Sequence, residues 1–201
     1  NANPLPINYL ENKGSAQVKS SIILAGLKTE GKTFIKCKPS RDHTEILCKY
    51  LKLPLKLKKK KNYDLIEVQK VKKIKPLNYK IPSDISSSAF FIVLTALSNN
   101  SKLLIKNVNI NPSRIGIITI LKKMGVNIKF KNKKNYKGEP KADISITSTK
   151  KLKAINCPPM LNSGAIDEFL LIFLVAAKAK GVSNFKDIGE LNQKESPRLK
   201  W

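Results

Sequence analysis

One order of elements recurs along this chain and limits its fold more than any single motif does. Gly14-Ser15 is a helix-start signal, and from Ala16 the apolar residues Val18, Ile22, Ile23 and Leu24 fall at helical spacing as far as Gly26. Lys32 to Lys38 alternates as a strand around Phe34 and Ile35. Pro39-Ser40-Arg41-Asp42 then opens a second helix with Ile46, Leu47, Tyr50 and Leu51 on one face, and two strands follow, Leu55 to Lys59 and Leu65 to Val71. The stretch before all this, Asn8 to Lys13, reads as a polar lead-in.

The order then repeats. Ser83-Asp84-Ile85-Ser86 caps a helix rich in Ala89, Phe90, Val93, Leu94 and Leu97, and Lys102 to Val108 is a strand. Pro112-Ser113-Arg114 opens a helix that ends at Gly125, and Val126 to Lys131 and Ala142 to Thr147 are strands. A third copy starts with a helix at Gly164-Ala165-Ile166-Asp167 that runs to Lys180-Gly181. It gives a strand at Val182 to Lys186 and reaches Lys194-Glu195-Ser196-Pro197-Arg198. Helix, strand, helix, strand, strand at a period of about 70 to 85 residues implies an α/β chain of repeated units.

A chain of 201 residues, 41% hydrophobic and 26% charged, has enough apolar material for a core, which excludes global disorder. The longest apolar run, Phe169 to Ala177, is too short to span a bilayer, so no membrane partner is expected. Three cysteines with no two-residue spacing, and one histidine, His43, argue against a disulfide framework and a metal cluster and fit a reducing, cytoplasmic setting. The chain begins at Asn1 without a leader and reads as an internal piece of a longer one.

The formal charge of +25 raises nucleic acid as a partner. The lysines cluster at 56–61, 70–75, 129–137 and 150–153, in segments with strand-like alternation, as solvated outer faces do. Aromatic residues are sparse and not interleaved with them, so stacking platforms for single strands are not evident and nucleic acid is not the expected partner. A basic nucleic-acid-binding module stays as the alternative from another class.

Against 36 lysines there are three arginines, Arg41, Arg114 and Arg198. A guanidinium offers a planar, bidentate fork, so these mark places where geometry matters beyond charge. Glu195 lies between Lys194 and Arg198, a carboxylate between cations, able to grip an anion and move a proton. Helix starts at Ser15-Ala16-Gln17, with Lys19 one turn in, offer N–H groups to an anion. On residue types alone each has a plainer reading. Ser15 is an ordinary cap, Asp167 and Glu168 are first-turn acids, Glu195 belongs to a surface ion-pair cluster, His43 is a hydrogen-bonding group, and Arg114 braces its own repeat.

Six collinear stretches carry a resemblance: Gly14-Ser15-Ala16-Gln17-Val18-Lys19-Ser20, Arg41-Asp42-His43-Thr44-Glu45, Asp84 to Phe91, Asn111-Pro112-Ser113-Arg114, Ile166-Asp167-Glu168 and Lys194-Glu195-Ser196. They resemble the 3-phosphoshikimate 1-carboxyvinyltransferase (EPSP synthase) family, across the middle of its sequence. The resemblance implies the inverse-barrel fold of the enolpyruvyl transferases, with two domains of three repeats each. Residues 1–82 would be the end of one domain. Residues 83–201 would be the start of the other, one repeat plus part of another, with a hinge between.

The implied reaction moves the enolpyruvyl group of phosphoenolpyruvate onto the 5-hydroxyl of shikimate 3-phosphate and releases phosphate, with no cofactor. By the resemblance, Ser15, Ala16, Gln17, Arg41, Asp167 and Lys194 would bind shikimate 3-phosphate, and Gln17 and Arg198 would touch phosphoenolpyruvate. Asp167 would take the hydroxyl proton, and Glu195 would protonate the methylene carbon. The family pattern carries an aspartate where Pro197 stands. A full-length monomer is expected, and the 201 residues alone are expected to be inactive. The sister enzyme acting on UDP-N-acetylglucosamine shares the fold and is the nearest alternative; Ser-Ala-Gln and Lys-Glu-Ser favour the shikimate enzyme.

Overall fold

The computed structural model describes residues 4–193 and 196–200. It divides into two compact units, Asn1–Lys80 and Ile81–Trp201. In the first unit a four-stranded sheet runs in the order β1-β2-β4-β3, formed by β1 (Asn8–Glu11), β2 (Lys32–Cys37), β3 (Leu55–Lys59) and β4 (Asp64–Gln69). β1 is parallel to β2, and the other pairs are antiparallel. The helices α1 (Ala16–Gly26) and α2 (His43–Tyr50) lie against it. Strict alternation along β2 turns Thr33, Ile35 and Cys37 inward. Ile35 and Cys37 share one core with Ile23 and Leu27 of α1, Cys48 of α2, and Ile66 and Val68 of β4.

Two features here depart from the sequence reading. The polar lead-in is a strand, β1, whose pairing with β2 supplies what its composition does not. On α2 the buried positions are Glu45 and Cys48, while Leu47 and Tyr50 are exposed. The inward face of that helix is chosen by a charge partner rather than by hydrophobicity.

The second unit contains α3 (Ile85–Leu97), β5 (Lys102–Asn109), α4 (Gly116–Lys123), β6 (Asn127–Tyr136), β7 (Glu139–Thr147), β8 (Asn156–Cys157), α5 (Phe169–Lys178) and β9 (Asn184–Phe185). Short 3-10 turns occur at Pro159–Leu161 and Gly189–Gln193. The sheet is antiparallel in the order β5-β7-β6, and β8 pairs with β9 in parallel. Both outer strands carry a bulge, between Ile105 and Val108 and between Lys131 and Lys134. Asn107 and Asn132, at φ 58° and 51°, sit in these bulges, where asparagine tolerates the left-handed region. Asp143 of the central strand accepts from the Asn107 amide at 2.8 Å and from the Asn132 side chain at 2.7 Å, so one carboxylate fixes both.

Apolar residues from all three helices and the sheet form one core, centred on Ile92, Ile117, Leu121, Ile144 and Phe169. Phe169, Phe173 and Phe185 pack as a tilted and edge-on trio, with centroids 5.2 to 5.9 Å apart. α5, and α3 beyond its serine-rich first turn, are largely apolar all round, and Phe90, Phe91, Leu94, Leu170 and Leu174 remain exposed. Helices of that kind are built to be covered all round.

Two helices start later than their sequence signals. Pro112-Ser113-Arg114 forms a turn, and α4 begins at Gly116. Buried Asn111 is the cause: its Oδ1 accepts from both the amide and the hydroxyl of Ser113 at 2.8 Å. Its own side chain donates to buried Glu139 at 3.3 Å. Likewise 163–168 is a turn, and α5 begins at Phe169. Gly164 gives its carbonyl to the Gly116 amide at 2.9 Å. A Cβ on Gly116 would lie 2.6 Å from the Gly164 carbonyl carbon, so α4 can approach this turn only as glycine.

Two aromatic rings of β6 carry lysine ammonium groups. Lys122 and Lys133 lie over the Phe130 ring, and Lys137 and Lys141 over Tyr136. These rings are therefore occupied by the protein's own ammonium groups.

Candidate active site

In the first unit the sequence-predicted residues gather around the start of α1. Glu11, buried at the end of β1, accepts from the amides of Lys13 at 2.8 Å and Gly14 at 2.7 Å. Gly14, at φ 76°, turns the chain into the helix. Ser15 is the cap and accepts from the Val18 amide at 3.3 Å. Ala16 is half-buried and Gln17 exposed at this helix start.

Arg41 lies on the 38–42 segment between β2 and α2 and is half-buried. Lys19 does not stand beside it as a second surface cation. Its side chain is fully buried, with Nζ 2.6 Å from Glu45 Oε1 and donating to the Arg41 carbonyl at 2.9 Å. Its ammonium is directed into the protein, at Glu45 and the Arg41 carbonyl. Ser20 Oγ and Thr44 Oγ1 add a hydrogen bond of 2.7 Å between the same helices, and Lys59 reaches Asp42 at 2.8 Å. That bond to Asp42 raises the Lys59 ammonium above its ordinary value.

In the second unit Asp167 sits in the turn before α5, partly exposed. Arg198 Nη1 donates to its Oδ1 at 3.4 Å. The backbone of this last segment is tied by the Arg198 amide to the Leu191 carbonyl at 3.2 Å and by the Leu199 amide to Asn192 at 3.0 Å. The structure therefore brings together one expected proton acceptor and one expected anion-binding guanidinium. Lys194 and Glu195, expected to bind substrate and donate a proton, lie outside the described residues.

Glu168, next to Asp167 and read from sequence only as a first-turn acid, is buried. Its Oε1 accepts from Ser86 at 2.5 Å, and Ser86 Oγ accepts from Arg114 Nη2 at 2.8 Å. The same Nη2 is 2.8 Å from Asp84 Oδ1. Asp84 also caps α3 through the Ser87 amide at 2.8 Å. This chain of contacts joins the start of α3, the turn before α4 and the turn that carries Asp167. Sequence signals for it existed only as the acidic pair at 167–168 and the serine run after Asp84.

All three thiols are buried, and burial raises their pKa, that of Cys37 to about 11. None is poised as a nucleophile. Among the described residues no group of three or more His, Cys, Asp or Glu could hold a metal ion. No described helix is long and apolar enough to cross a membrane.

The class is defined first by architecture. The structure aligns with the enolpyruvyl transferase NikO from Streptomyces tendae over 90% of this chain and 44% of that one, at TM-score 0.66 and 14% identity, a likeness of fold alone. An EPSP synthase structure from Acinetobacter baumannii aligns over 98% of this chain and 44% of that one, at TM-score 0.85 and 39% identity. The family model for EPSP synthase (3-phosphoshikimate 1-carboxyvinyltransferase) matches residues 5–201, and the chain belongs to that family.

Relatives named 3-phosphoshikimate 1-carboxyvinyltransferase agree. That of Zymomonas mobilis is 40% identical over 97% of this chain and 43% of its own length. That of Hydrogenovibrio crunogenus is 43% identical over 96% of this chain and 44% of its own. The chain thus spans under half the length of these relatives. The resemblance read from the six motifs and the α/β fold class both hold.

Proposed function

We infer that this chain supplies part of the active site of an enzyme that transfers the enolpyruvyl group of phosphoenolpyruvate to the 5-hydroxyl of shikimate 3-phosphate, giving EPSP and phosphate. The observation that carries the reading is the Asp167–Arg198 pair, in a chain whose motifs and fold are those of the family. In it a proton acceptor and a bidentate anion binder share one place.

Both substrates are anionic, and the reading gives each described cation or amide a task. Ser15, Ala16, Gln17 and Arg41, with Lys194, take shikimate 3-phosphate; Gln17 and Arg198 take the carboxylate or phosphate of phosphoenolpyruvate. The new C–O bond forms at the enol carbon as Asp167 removes the hydroxyl proton and Glu195 delivers one to the methylene carbon. Loss of phosphate, with return of that proton, restores the double bond. Residues 1–82 and 83–201 belong, in this reading, to two domains of a hinged enzyme. The work is done in water and among small molecules, in the cytoplasm, by a monomer.

Asp167 at the mouth of an apolar helix, beside a guanidinium and only partly exposed, is suited to proton transfer because it is oriented and partly desolvated. To test this, the chain is joined to the flanking segments of the Zymomonas mobilis relative, and phosphate release from the two substrates is followed. Turnover by this fusion, with a loss of at least about a hundredfold in kcat in Asp167→Ala and largely retained shikimate 3-phosphate binding, is the expected result. A folded fusion without turnover, or an Asp167→Ala variant as fast as its parent, would contradict the reading.

A further inference from the structure

The fully buried Lys19–Glu45 pair is not explained by stability. Apolar residues of similar volume would hold α1 to α2 at least as well as an ion pair taken out of water. What they could not do is donate a hydrogen bond. Lys19 Nζ gives one, at 2.9 Å, to the main-chain carbonyl of Arg41. Glu45 is committed to the lysine: its Oε1 lies 2.6 Å from Nζ, and Oε2 has no hydrogen-bond donor among the described residues.

Lys19 is also one turn from the cap, and its amide donates to the Ser15 carbonyl at 3.1 Å. A single residue therefore belongs to the helix start that presents Ser15, Ala16 and Gln17 and fixes the backbone that carries Arg41. A phosphate gripped by both a guanidinium and a helix start requires the two to be placed to within about 0.5 Å of each other.

We propose that Lys19, aimed by Glu45, is a positioning residue that sets Arg41 relative to the start of α1, so that both engage one phosphorylated substrate. The inference rests on the reading of Ser15–Gln17 and Arg41 as a half-site for shikimate 3-phosphate. Neither Lys19 nor Glu45 touches the ligand in this account. The charge of the pair is internal, and its effect is transmitted through one carbonyl.

The test uses the 201-residue chain, titrated with shikimate 3-phosphate while backbone amide chemical shifts are recorded, together with thermal unfolding. Lys19→Met strands Glu45 and lowers both stability and affinity. Lys19→Met combined with Glu45→Met removes the stranded charge and restores most of the unfolding temperature. Affinity in this double variant is expected to stay at least tenfold below that of the parent, with the Arg41 amide no longer responding. Binding within twofold of the parent, with Arg41 responding normally, would overturn the inference while leaving the half-site reading intact. A parent chain whose Ser15–Gln17 and Arg41 amides do not respond at all would overturn the half-site reading, and this inference with it.

Discussion

The same three residues, Pro-Ser-Arg, turn the corner between strand and second helix in both units, and the two corners use their arginine differently. Arg41 is fixed through its backbone, by a buried ammonium that reaches its carbonyl. Arg114 spends its guanidinium on the protein, on Asp84 and Ser86 at the start of α3. The neighbouring helix start decides which occurs. α1 offers a long cation at its fourth position, Lys19, that finds the main chain. α3 offers a cap carboxylate and a hydroxyl that find the side chain. A repeated motif therefore fixes a shape, and the first turn of the adjoining helix sets which part of the arginine it holds, the main chain of Arg41 or the guanidinium of Arg114.

The largest effect that could break this comparison lies in the first corner. Lys19→Met leaves a buried carboxylate unpaired and should destabilise the first unit by about 3 to 5 kcal/mol, measured by urea unfolding. A loss below about 1 kcal/mol would mean that the pair is not buried as described. In the second corner Arg114→Ala should cost about 1 to 3 kcal/mol, because Ser86 loses a charged donor while still bonded to buried Glu168. Amide exchange should quicken at the starts of α3 and α5 together; a response confined to α4 would break the described chain of contacts.

Smaller, and of opposite sign in the two units, are the effects of acid. Burial holds the Asp64 carboxyl above the ordinary carboxylate value, so its contribution to stability is greatest below that value and is lost as pH rises through its own raised pKa. Asp64→Asn should therefore gain on the parent as pH rises. The Asn107 amide and then the Asn132 side chain hold Asp143 below that value. Its contribution is present above the ordinary value and lost as pH falls through its own lowered pKa. Asp143→Asn should be weaker than the parent at neutral pH and approach it in acid. Exchange protection of β4 and β7 amides between pH 3 and 7 reads the two separately, and slopes of the same sign would contradict the assignment.

Much of this architecture was legible because caps and periods agree. Ser15 and Asp84 cap the helices they were expected to cap, and β2 alternates as its sequence does. The unread parts share a cause: charged residues in the interior. In β1 the one buried residue is Glu11, so hydrophobic periodicity has nothing to detect. Glu45 displaces Leu47 and Tyr50 from the inner face of α2, and Glu168 is drawn in by Ser86. The delayed starts of α4 and α5 follow from Asn111 and from the Gly116–Gly164 approach, which join residues distant in sequence. The six family motifs, by contrast, were visible as strings. The contacts that distinguish Arg41 from Arg114 were not, because they depend on which neighbour each corner meets.

The most direct test sets the two arginines against each other in this chain. Arg41→Ala and Arg114→Ala are compared for shikimate 3-phosphate affinity, by amide-shift titration, and for stability. Arg41→Ala should weaken binding at least about tenfold, or about 1.4 kcal/mol. Arg114→Ala should do the reverse, binding within about twofold of the parent while losing stability as above. Equal losses of affinity in both variants, or a loss only in Arg114→Ala, would contradict the account.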